Sequence, residues 1–242
     1  MPTPGTQGGD MTTTTFITGA NRSLGHETAR RLLEAGHTVV LGARDPQLGR
    51  AAAQDLGARF VQLDVTDDAS VAAAVADVAA HEGVVDVLIN NAGVNQPHAP
   101  ADELTAADAA AVFDVNVVGF VRVTRAFLPL LRASAHPVIV NVSSGMGSFS
   151  VTQDPDRVES SFAAPLYTSS KSALTMLTTQ YAKAWPDIKV NAADPGYTAT
   201  DFNGHSGSQT VTEGTDAIVE LATIGAVGPT GQFRDRHGVV AW

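Results

Sequence analysis

Tyr167 and Lys171 are the residue pair in this sequence with the clearest capacity for acid–base chemistry. Their spacing of four residues is one turn of an α-helix, so both side chains project from the same face. A phenol loses its proton near pH ~10 and an ammonium group near pH ~10.4, so neither alone suits proton transfer at neutral pH. A cation beside a phenol favours the phenolate, and we therefore expect Lys171 to lower the pKa of Tyr167.

The sequence around this pair favours a catalytic role over an exposed helix surface. Tyr167 is the only one of the three tyrosines that a lysine follows after four residues. Two serines, Ser143 and Ser144, precede it at the end of an apolar run, the point at which parallel sheets meet their ligands. Such a site requires a sheet whose strands end close together.

Short β-branched runs alternate with alanine- and leucine-rich helical stretches over residues 13–193. Several runs are apolar almost throughout, as expected for strands covered on both faces. The predicted strands are Thr14–Thr18, Thr38–Ala43, Arg59–Asp64, Val84–Asn90, Val138–Ser143 and Lys189–Ala193, with a last one near Gln232–Arg234. Strand–helix alternation predicts an α/β fold, a doubly wound parallel sheet with helices on both faces.

We expect one domain over residues 13–242 with no internal linker. Residues 1–12 are rich in Pro, Gly and Thr, lack a basic start and an apolar core, and are expected to be a flexible leader. Thr66 is the expected N-cap of the helix that follows the third strand. The Gly-, Ser- and polar-rich stretch 200–212 predicts a mobile substrate loop over about residues 196–213.

Composition limits the classes of function. Of 242 residues, 44% are hydrophobic and 17% charged, an ordinary globular balance. The net charge of −10 argues against nucleic acid or an anionic membrane as partner, although local arginines and helix N-termini can hold an anionic cofactor. With no cysteine and no apolar run near the ~20 residues that span a bilayer, we expect a soluble cytoplasmic protein. No metal site is expected, because no ligand spacing connects the histidines: His26, His37, His81, His98, His136, His205 and His237.

A glycine-containing turn joins the first strand to the first helix and reads Thr18-Gly19-Ala20-Asn21-Arg22-Ser23-Leu24-Gly25. Gly19 permits a tight turn, and Gly25 allows the helix to pack closely on the sheet. The helix N-terminus then offers free N–H groups to a pyrophosphate. Its position after the first strand of a βαβ series makes this turn a predicted dinucleotide site.

This turn resembles that of the short-chain dehydrogenase/reductase family, T-G-x-x-x-G-x-G, and the resemblance extends from about Thr14 to the C-terminus. Ser23 replaces the middle glycine, and we expect its side chain still to cap the helix. The resemblance implies a Rossmann-type fold. It also implies a nicotinamide cofactor bound by Gly19, Asn21, Arg22, Ser23, Leu24 and Gly25.

Further motifs extend the same resemblance along the chain. Asp64-Val65 matches the family's adenine-contacting acidic position, and Asn90-Asn91-Ala92-Gly93 matches its N-N-A-G motif. Asp194-Pro195-Gly196-Tyr197-Thr198 resembles the P-G motif, whose backbone faces the nicotinamide and in which Thr198 could bond the carboxamide. The cofactor-binding residues that these matches imply are Asp64, Val65, Asn91, Ala92, Gly93, Pro195, Gly196 and Thr198, together with Tyr167 and Lys171.

The end of the second strand predicts which dinucleotide is bound. NAD sites commonly place a carboxylate here for the ribose 2′-hydroxyl, and Ala43 cannot serve. Arg44 and Arg22 could instead hold a 2′-phosphate through charge-assisted bonds. NADP(H) is therefore the favoured cofactor. NAD(H) remains the alternative, because Asp45 is near enough to be a displaced ribose acceptor.

The family's catalytic residues also match positions in this chain. Alignment selects Ser144 as the catalytic serine, with Ser143 as the second choice, and Asn116 completes a tetrad with Tyr167 and Lys171. The implied reaction is reduction of a ketone or aldehyde, in which Tyr167 donates the proton and Ser144 bonds the carbonyl oxygen. Asn116 would position a water that connects Lys171 to solvent.

The long gap between Ser144 and Tyr167 is similar to that of carbonyl-reductase-like members and should loop out near the pocket entrance. A homodimer or homotetramer is expected. A monomer is the alternative, because this insertion could obstruct a subunit interface. Possible pocket walls are Phe149, Tyr197 and Phe202, although buried aromatics are more often core. The alternative functions are an NAD-dependent alcohol dehydrogenase and a catalytically silent nucleotide sensor, which would have lost Tyr167 or Lys171.

Overall fold

A computed structural model describes residues 12–242, in which the apolar runs lie side by side as one sheet. Its strands are β1 (Thr14–Thr18), β2 (Thr38–Ala43), β3 (Arg59–Gln62), β4 (Val87–Asn90), β5 (Val138–Val142), β6 (Lys189–Ala193), β7 (Phe233–Asp235) and β8 (Gly238–Val239). The spatial order is β3-β2-β1-β4-β5-β6-β7-β8. All neighbours are parallel except β7 and β8, so the predicted doubly wound parallel sheet is confirmed, with one antiparallel strand at its edge.

Helices cover both faces of the sheet. They are α1 (Ser23–Glu34), α2 (Pro46–Leu56), α3 (Asp68–His81), α4 (Ala106–Phe113), α5 (Phe120–Arg132), α6 (Phe149–Gln153), α7 (Pro165–Ala184), α8 (Val211–Gly214) and α9 (Asp216–Ala222). Successive side chains of a strand point to opposite faces, so Phe16 and Ile17 of β1 lie in different cores. Ile17 belongs to the cluster of Leu32 in α1, whereas the ring centroid of Phe16 lies 4.5 Å from that of Phe127 in α5.

The third helix begins one residue later than its sequence pattern suggests. The N-cap of α3 is Asp67, whose carboxylate accepts a hydrogen bond from the Ala69 N–H at 2.9 Å. The Thr66 hydroxyl instead donates to the Asp64 carboxylate at 2.7 Å. The expectation that Thr66 caps this helix is therefore wrong, because a stronger, charged acceptor at the end of β3 binds its hydroxyl.

Two irregular segments lie above the carboxyl edge of the sheet. The first, here called the extended segment (residues 148–164), was expected to loop out but contains α6 and the 3₁₀ turn Val158–Ser161. The second, the substrate loop (residues 196–213), contains the 3₁₀ turn Asp201–Asn203 and is closed by a bridge between Thr198 and Gln209. Its expected mobility stays a prediction.

Most of the predicted leader, residues 1–11, lies outside the described residues. Over the part of the chain that is described, no helix combines the length and the apolar character needed to cross a bilayer. Among these same residues, no three His, Asp or Glu side chains cluster in a way that could hold a metal ion.

Candidate active site

A crevice lies at the carboxyl edge of the sheet between β1 and β4, where the strand order reverses direction and the two following connections diverge. It opens into a cavity of about 810 Å³. All the predicted cofactor-binding residues line this cavity: Gly19, Asn21, Arg22, Ser23, Leu24, Gly25, Arg44, Asp64, Val65, Asn91, Ala92, Gly93, Tyr167, Lys171, Pro195, Gly196 and Thr198. Ser144 lines it as well, whereas Asn116 lies behind its wall.

The turn after β1 is shaped by close backbone contacts. Gly19 has a φ of +64°, and a β-carbon there would lie 3.0 Å from the Ala92 Cα. A β-carbon at Gly25 would lie 2.6 Å from both the Gly19 carbonyl oxygen and the Asn91 side-chain nitrogen. Glycine is therefore required at both positions, and the first turn of α1 stands beside the cavity with free N–H groups. This cradle fits a dinucleotide pyrophosphate.

Ser23 adopts an uncommon backbone conformation at the middle position of this turn. Its φ is +49°, in the left-handed region that favours glycine. The N-cap of α1 is Arg22, with no side-chain cap, and the Ser23 hydroxyl lies 3.5 Å from the Asp201 carboxylate. The expectation that Ser23 caps the helix is wrong, because its hydroxyl is directed toward the substrate loop instead.

The two arginines expected at a 2′-phosphate differ in their surroundings. Arg44 is exposed at the rim of the cavity and helps to lower the pKa of Asp64, against the opposing effect of burial. Arg22 lies 3.4 Å from Asp201 in an exposed ion pair. Asp45, the alternative ribose acceptor, is not among the cavity-lining residues. Its carboxylate caps α2 by accepting two backbone N–H bonds, at 2.8 and 3.0 Å, which engages the group elsewhere.

The ends of β1 and β4 are tied together by side chains. Asn91 donates from its amide to the Thr18 and Gly19 carbonyls at 2.9 and 3.0 Å. The Thr18 hydroxyl accepts from the Asn91 and Ala92 N–H groups, both at 2.9 Å. These bonds link the two neighbouring strands and fix the backbone that lines the cavity.

Tyr167 lies in the first turn of α7, and the Ser144 hydroxyl after β5 lies close enough to its hydroxyl to help lower its pKa. The neighbouring Ser143 is buried with its hydroxyl 3.5 Å from the Lys171 carbonyl, so it faces the α7 backbone. Of the two candidate serines, Ser144 is thus the one beside the phenol. The start of α7 is held by Gln96, whose side-chain oxygen accepts the Leu166 and Tyr167 N–H groups at 2.9 and 3.1 Å.

The expected lowering of the Tyr167 pKa is absent in the structure. Burial raises the pKa of Tyr167, the Ser144 hydrogen bond opposes this, and Asp194 adds to it. Lys171 is 5% exposed, and its ammonium donates to the Val142 carbonyl at 2.9 Å, 5.7 Å from the Tyr167 ring centroid. Burial lowers the pKa of Lys171 to about 8, against the effect of Asp194. Desolvation is therefore the largest influence on the pKa of each group, and it keeps the phenol protonated.

Asn116 lies in a π-helical turn, Asp114–Gly119, between α4 and α5. Its amide donates to the Val94 carbonyl at 2.9 Å and to the Ser170 hydroxyl at 3.0 Å, and its oxygen accepts the Val94 N–H at 2.8 Å. A β-carbon at Gly93 would lie 3.4 Å from the Asn116 oxygen and 3.6 Å from the Lys171 ammonium. The side chain therefore joins the loop after β4 to α7, next to Lys171.

The substrate side of the cavity is largely aromatic. The ring centroids of Tyr167 and Phe202 lie 5.5 Å apart, and those of Phe162 and Tyr197 lie 5.8 Å apart. Tyr197 and Phe202 line the cavity as expected, whereas Phe149 does not and is 71% exposed. The Thr198 hydroxyl donates to the Pro195 carbonyl at 2.8 Å, which holds the turn in shape.

Several cavity residues had no detectable signal in the sequence. Gln96 caps a helix that begins some seventy positions later, and Glu159 sits in a segment without a recognisable motif. Asp194 precedes the Pro195-Gly196 pair but attracted no prediction, although it lines the cavity and is 2% exposed. These residues meet only through the tertiary fold.

Comparison with known proteins agrees with this geometry. Residues 13–210 match the family model described as short chain dehydrogenase. A short-chain dehydrogenase of Penicillium roqueforti, anuI, is 36% identical over 87% of this chain and 88% of its own length. The NADPH-bound carbonyl reductase from chicken fatty liver superposes with a TM-score of 0.84 at 29% identity, covering 96% of this chain and 99% of that one.

A third protein carries the other dinucleotide. The 3-ketoacyl-(acyl-carrier-protein) reductase of Brucella melitensis, complexed with NADH, has a TM-score of 0.82 and 25% identity over 92% of this chain and 96% of its own. Proteins similar to this chain therefore bind nicotinamide cofactors of both kinds. The fold, the family match and the 36% identity together identify this chain as a member of the short-chain dehydrogenase family of oxidoreductases.

Proposed function

We propose that this protein reduces a ketone or aldehyde to an alcohol with NADP(H) as the hydride source. The observation that carries the proposal is that Tyr167 and Ser144, close enough for Ser144 to affect the Tyr167 pKa, line the same cavity as the glycine turn. A dinucleotide held at the turn and a carbonyl held at the two hydroxyls would share one crevice. We therefore expect the substrate to be a small molecule that carries a carbonyl group.

The preference for NADP(H) rests on charge at the end of β2. Ala43 offers no carboxylate to a ribose hydroxyl, and Arg44 stands next to it at the cavity rim. A guanidinium group can form paired, charge-assisted bonds to a phosphate. The capping role of Asp45 in α2 removes the nearest competing acceptor, which further supports NADP(H).

The protein's own groups would manage the proton and the developing charge. The cofactor, when bound, supplies hydride to the carbonyl carbon. Ser144 and Tyr167 donate hydrogen bonds to the carbonyl oxygen, and Tyr167 transfers its proton to it. The raised pKa of Tyr167 suits this direction, because the group is protonated before the reaction. Lys171 then stabilises the phenolate.

Proton resupply would run through Lys171, whose pKa of about 8 is close to neutrality. A second cavity of about 10 Å³ lies between Asn116 and Lys171. That volume is near the minimum for one water molecule, which supports the role expected for Asn116. Deprotonated Tyr167 could recover its proton along this route.

The test is NADPH oxidation, followed by absorbance, over a panel of ketones and aldehydes, with a parallel titration of NADH. We expect turnover of at least one carbonyl compound and tighter binding of NADPH. Equal affinity for both dinucleotides would contradict the cofactor preference. Turnover of alcohols alone with NAD⁺ would favour an alcohol dehydrogenase, and tight dinucleotide binding with no turnover would favour a nucleotide sensor.

A further inference from the structure

Asp194 is a buried carboxylate that lies beside the proposed catalytic groups. The proposed reaction gives this carboxylate no role. It follows β6, is 2% exposed and lines the cavity. Its Oδ1 accepts the Gly196 N–H at 2.9 Å, and the Gly145 N–H also lies close enough to help lower its pKa. Gly145 directly follows Ser144. One carboxylate therefore joins the turn that carries Gly196 to the turn that carries the proposed catalytic serine.

The second oxygen of Asp194 lies in the neighbourhood of another carboxylate, which raises its pKa. Oδ2 is buried and, among the described residues, has no hydrogen-bond partner. A β-carbon at Gly145 would lie 2.9 Å from this oxygen and 2.7 Å from the Glu159 Oε1, so the two oxygens flank one point. Glu159 belongs to the extended segment and is 7% exposed. A proton shared between the two carboxylates would satisfy the unpaired oxygen.

Building on the proposed reductase function, we propose that Asp194 is a positioning residue that holds the Ser144 and Gly196 turns together, and that a proton shared with Glu159 connects the extended segment to these turns. The extended segment supplies Val158 and Phe162 to the cavity wall. Loss of the shared proton would therefore loosen the substrate side of the cavity.

The charged groups around the pair act in both directions, and burial dominates the pKa of Asp194. Burial raises the pKa of Asp194 to about 6, hydrogen bonds from Gly196 and Gly145 oppose this, and Glu159 and Asp235 add to it. From the extended segment, Arg157 contacts Glu159 at 3.2 Å. From α7, Tyr167 faces the group as a neutral phenol, and Lys171, with a pKa of about 8, is a cation below pH 6 that favours the ionised carboxylate.

The sign of the pH dependence follows from the raised pKa. The folded protein binds more protons than the unfolded chain between the ordinary carboxyl pKa of 3.8 and the raised value of about 6. Stability from the shared proton is fully present below this window and is lost as the pH rises through about 6. The KM for the carbonyl substrate should rise as the pH passes through about 6, where the folded protein loses the shared proton, by up to about tenfold.

The test compares Asp194→Asn, Glu159→Gln and Asp194→Ala with Asp156→Asn, which alters an exposed carboxylate of the same segment. The amide introduced by Asp194→Asn would donate permanently to Glu159, so KM should become independent of pH from about 5 to about 7.5. Asp194→Ala should lower kcat about tenfold or more through misplacement of Ser144. Asp156→Asn should behave as the parent.

The proposal would be overturned if KM had the same pH dependence in the parent and in Asp194→Asn. It would also be overturned if Asp194→Ala kept the parental kcat.

Unfolding midpoints measured against pH separate this proposal from the proposed function, since they need no substrate. The parent should lose stability as the pH rises through about 6, and Asp194→Asn should not. Parallel stability curves would overturn the acid pair even in an active reductase. Divergent curves in a protein that reduces no carbonyl compound would support the acid pair and contradict the reductase assignment.

Discussion

The two ends of the cavity are built in different ways. At the phosphate end, the turn from Gly19 to Gly25 uses backbone groups and small residues that are contiguous in sequence. At the chemical end, Asn116, Ser144 and Lys171 come from three separate elements that only the sheet order brings together. The first end is specified by steric needs of glycine, and the second by hydrogen bonds between distant parts of the chain.

The two ends of the cavity also differ in what destabilises them in the folded protein. The phosphate end contains one strained residue, Ser23, with a φ of +49°. The chemical end buries an ammonium group at Lys171 and a carboxyl group at Asp194, both with pKa values shifted by desolvation. We therefore expect substitutions at the chemical end to change turnover strongly and those at the phosphate end to change mainly affinity.

The largest effect is expected for Tyr167→Phe. Removal of the hydroxyl eliminates the proton donor while the ring and its contact with Phe202 remain. Turnover should fall by roughly 10² or more. NADPH affinity, measured by fluorescence titration, should change little.

Tyr181→Phe is the matched control, because Tyr181 is stacked on Trp185 at 4.3 Å in the same helix and does not line the cavity. It should retain parental turnover. Unchanged turnover in Tyr167→Phe would exclude this residue from the mechanism and would remove the contrast between the two ends.

Asn116→Ala should produce the next largest effect. It leaves both backbone groups of Val94 without their side-chain partner and removes one of the two hydrogen bonds of the Ser170 hydroxyl, which should lower the free energy of unfolding by about 1–3 kcal/mol. Turnover per folded molecule should fall about tenfold, because small displacements of a catalytic group slow the reaction steeply. Chemical denaturation and steady-state assays measure the two effects.

The control here is Asn191→Ala. Asn191 is also fully buried and bonded to backbone, to the Pro229 carbonyl at 2.9 Å and the Gln232 N–H at 3.0 Å, but lies outside the cavity. It should lose similar stability without loss of turnover per folded molecule. Equal turnover in both variants would mean that Asn116 is structural only.

The sequence predicted the fold well because its signals are local. Strands such as Thr14–Thr18 and Thr38–Ala43 are short runs rich in β-branched residues, and the structure has them with the predicted bounds. Most of the proposed cofactor-binding residues were predicted as a set because they follow strand ends, and parallel strand ends share one edge of the sheet.

The electrostatics could not be predicted from spacing. Four residues between Tyr167 and Lys171 fix which helix face they share, but the effect of burial on each pKa depends on the whole surroundings. The same holds for Ser23, whose hydroxyl turns to Asp201, a residue of the distant substrate loop. Asp194 and Glu159 come close only at Gly145, so their proximity could not be predicted from the sequence, although Asp194 belongs to a recognised motif.

At the phosphate end, Arg44→Asp should lower NADPH affinity about tenfold, or roughly 1.4 kcal/mol, and affect NADH less. The reason is loss of charge-assisted bonds to the 2′-phosphate together with repulsion by the new carboxylate. Arg50→Asp in α2 makes the same charge change at an exposed position that does not line the cavity. Parallel losses for NADPH and NADH in Arg44→Asp, or an equal effect of Arg50→Asp, would contradict a 2′-phosphate contact.

The smallest effect is expected for Ser23→Gly. Relief of the left-handed conformation should stabilise the folded state, but glycine also adds entropy to the unfolded chain, so the free energy of unfolding should rise by no more than about 1 kcal/mol. NADPH should bind more tightly, because the backbone of the turn can then approach the phosphates closely. His205→Gly relieves a similar φ of +60° in the substrate loop and should leave NADPH affinity unchanged. Weaker NADPH binding by Ser23→Gly would show that the serine hydroxyl, rather than the backbone, contacts the cofactor.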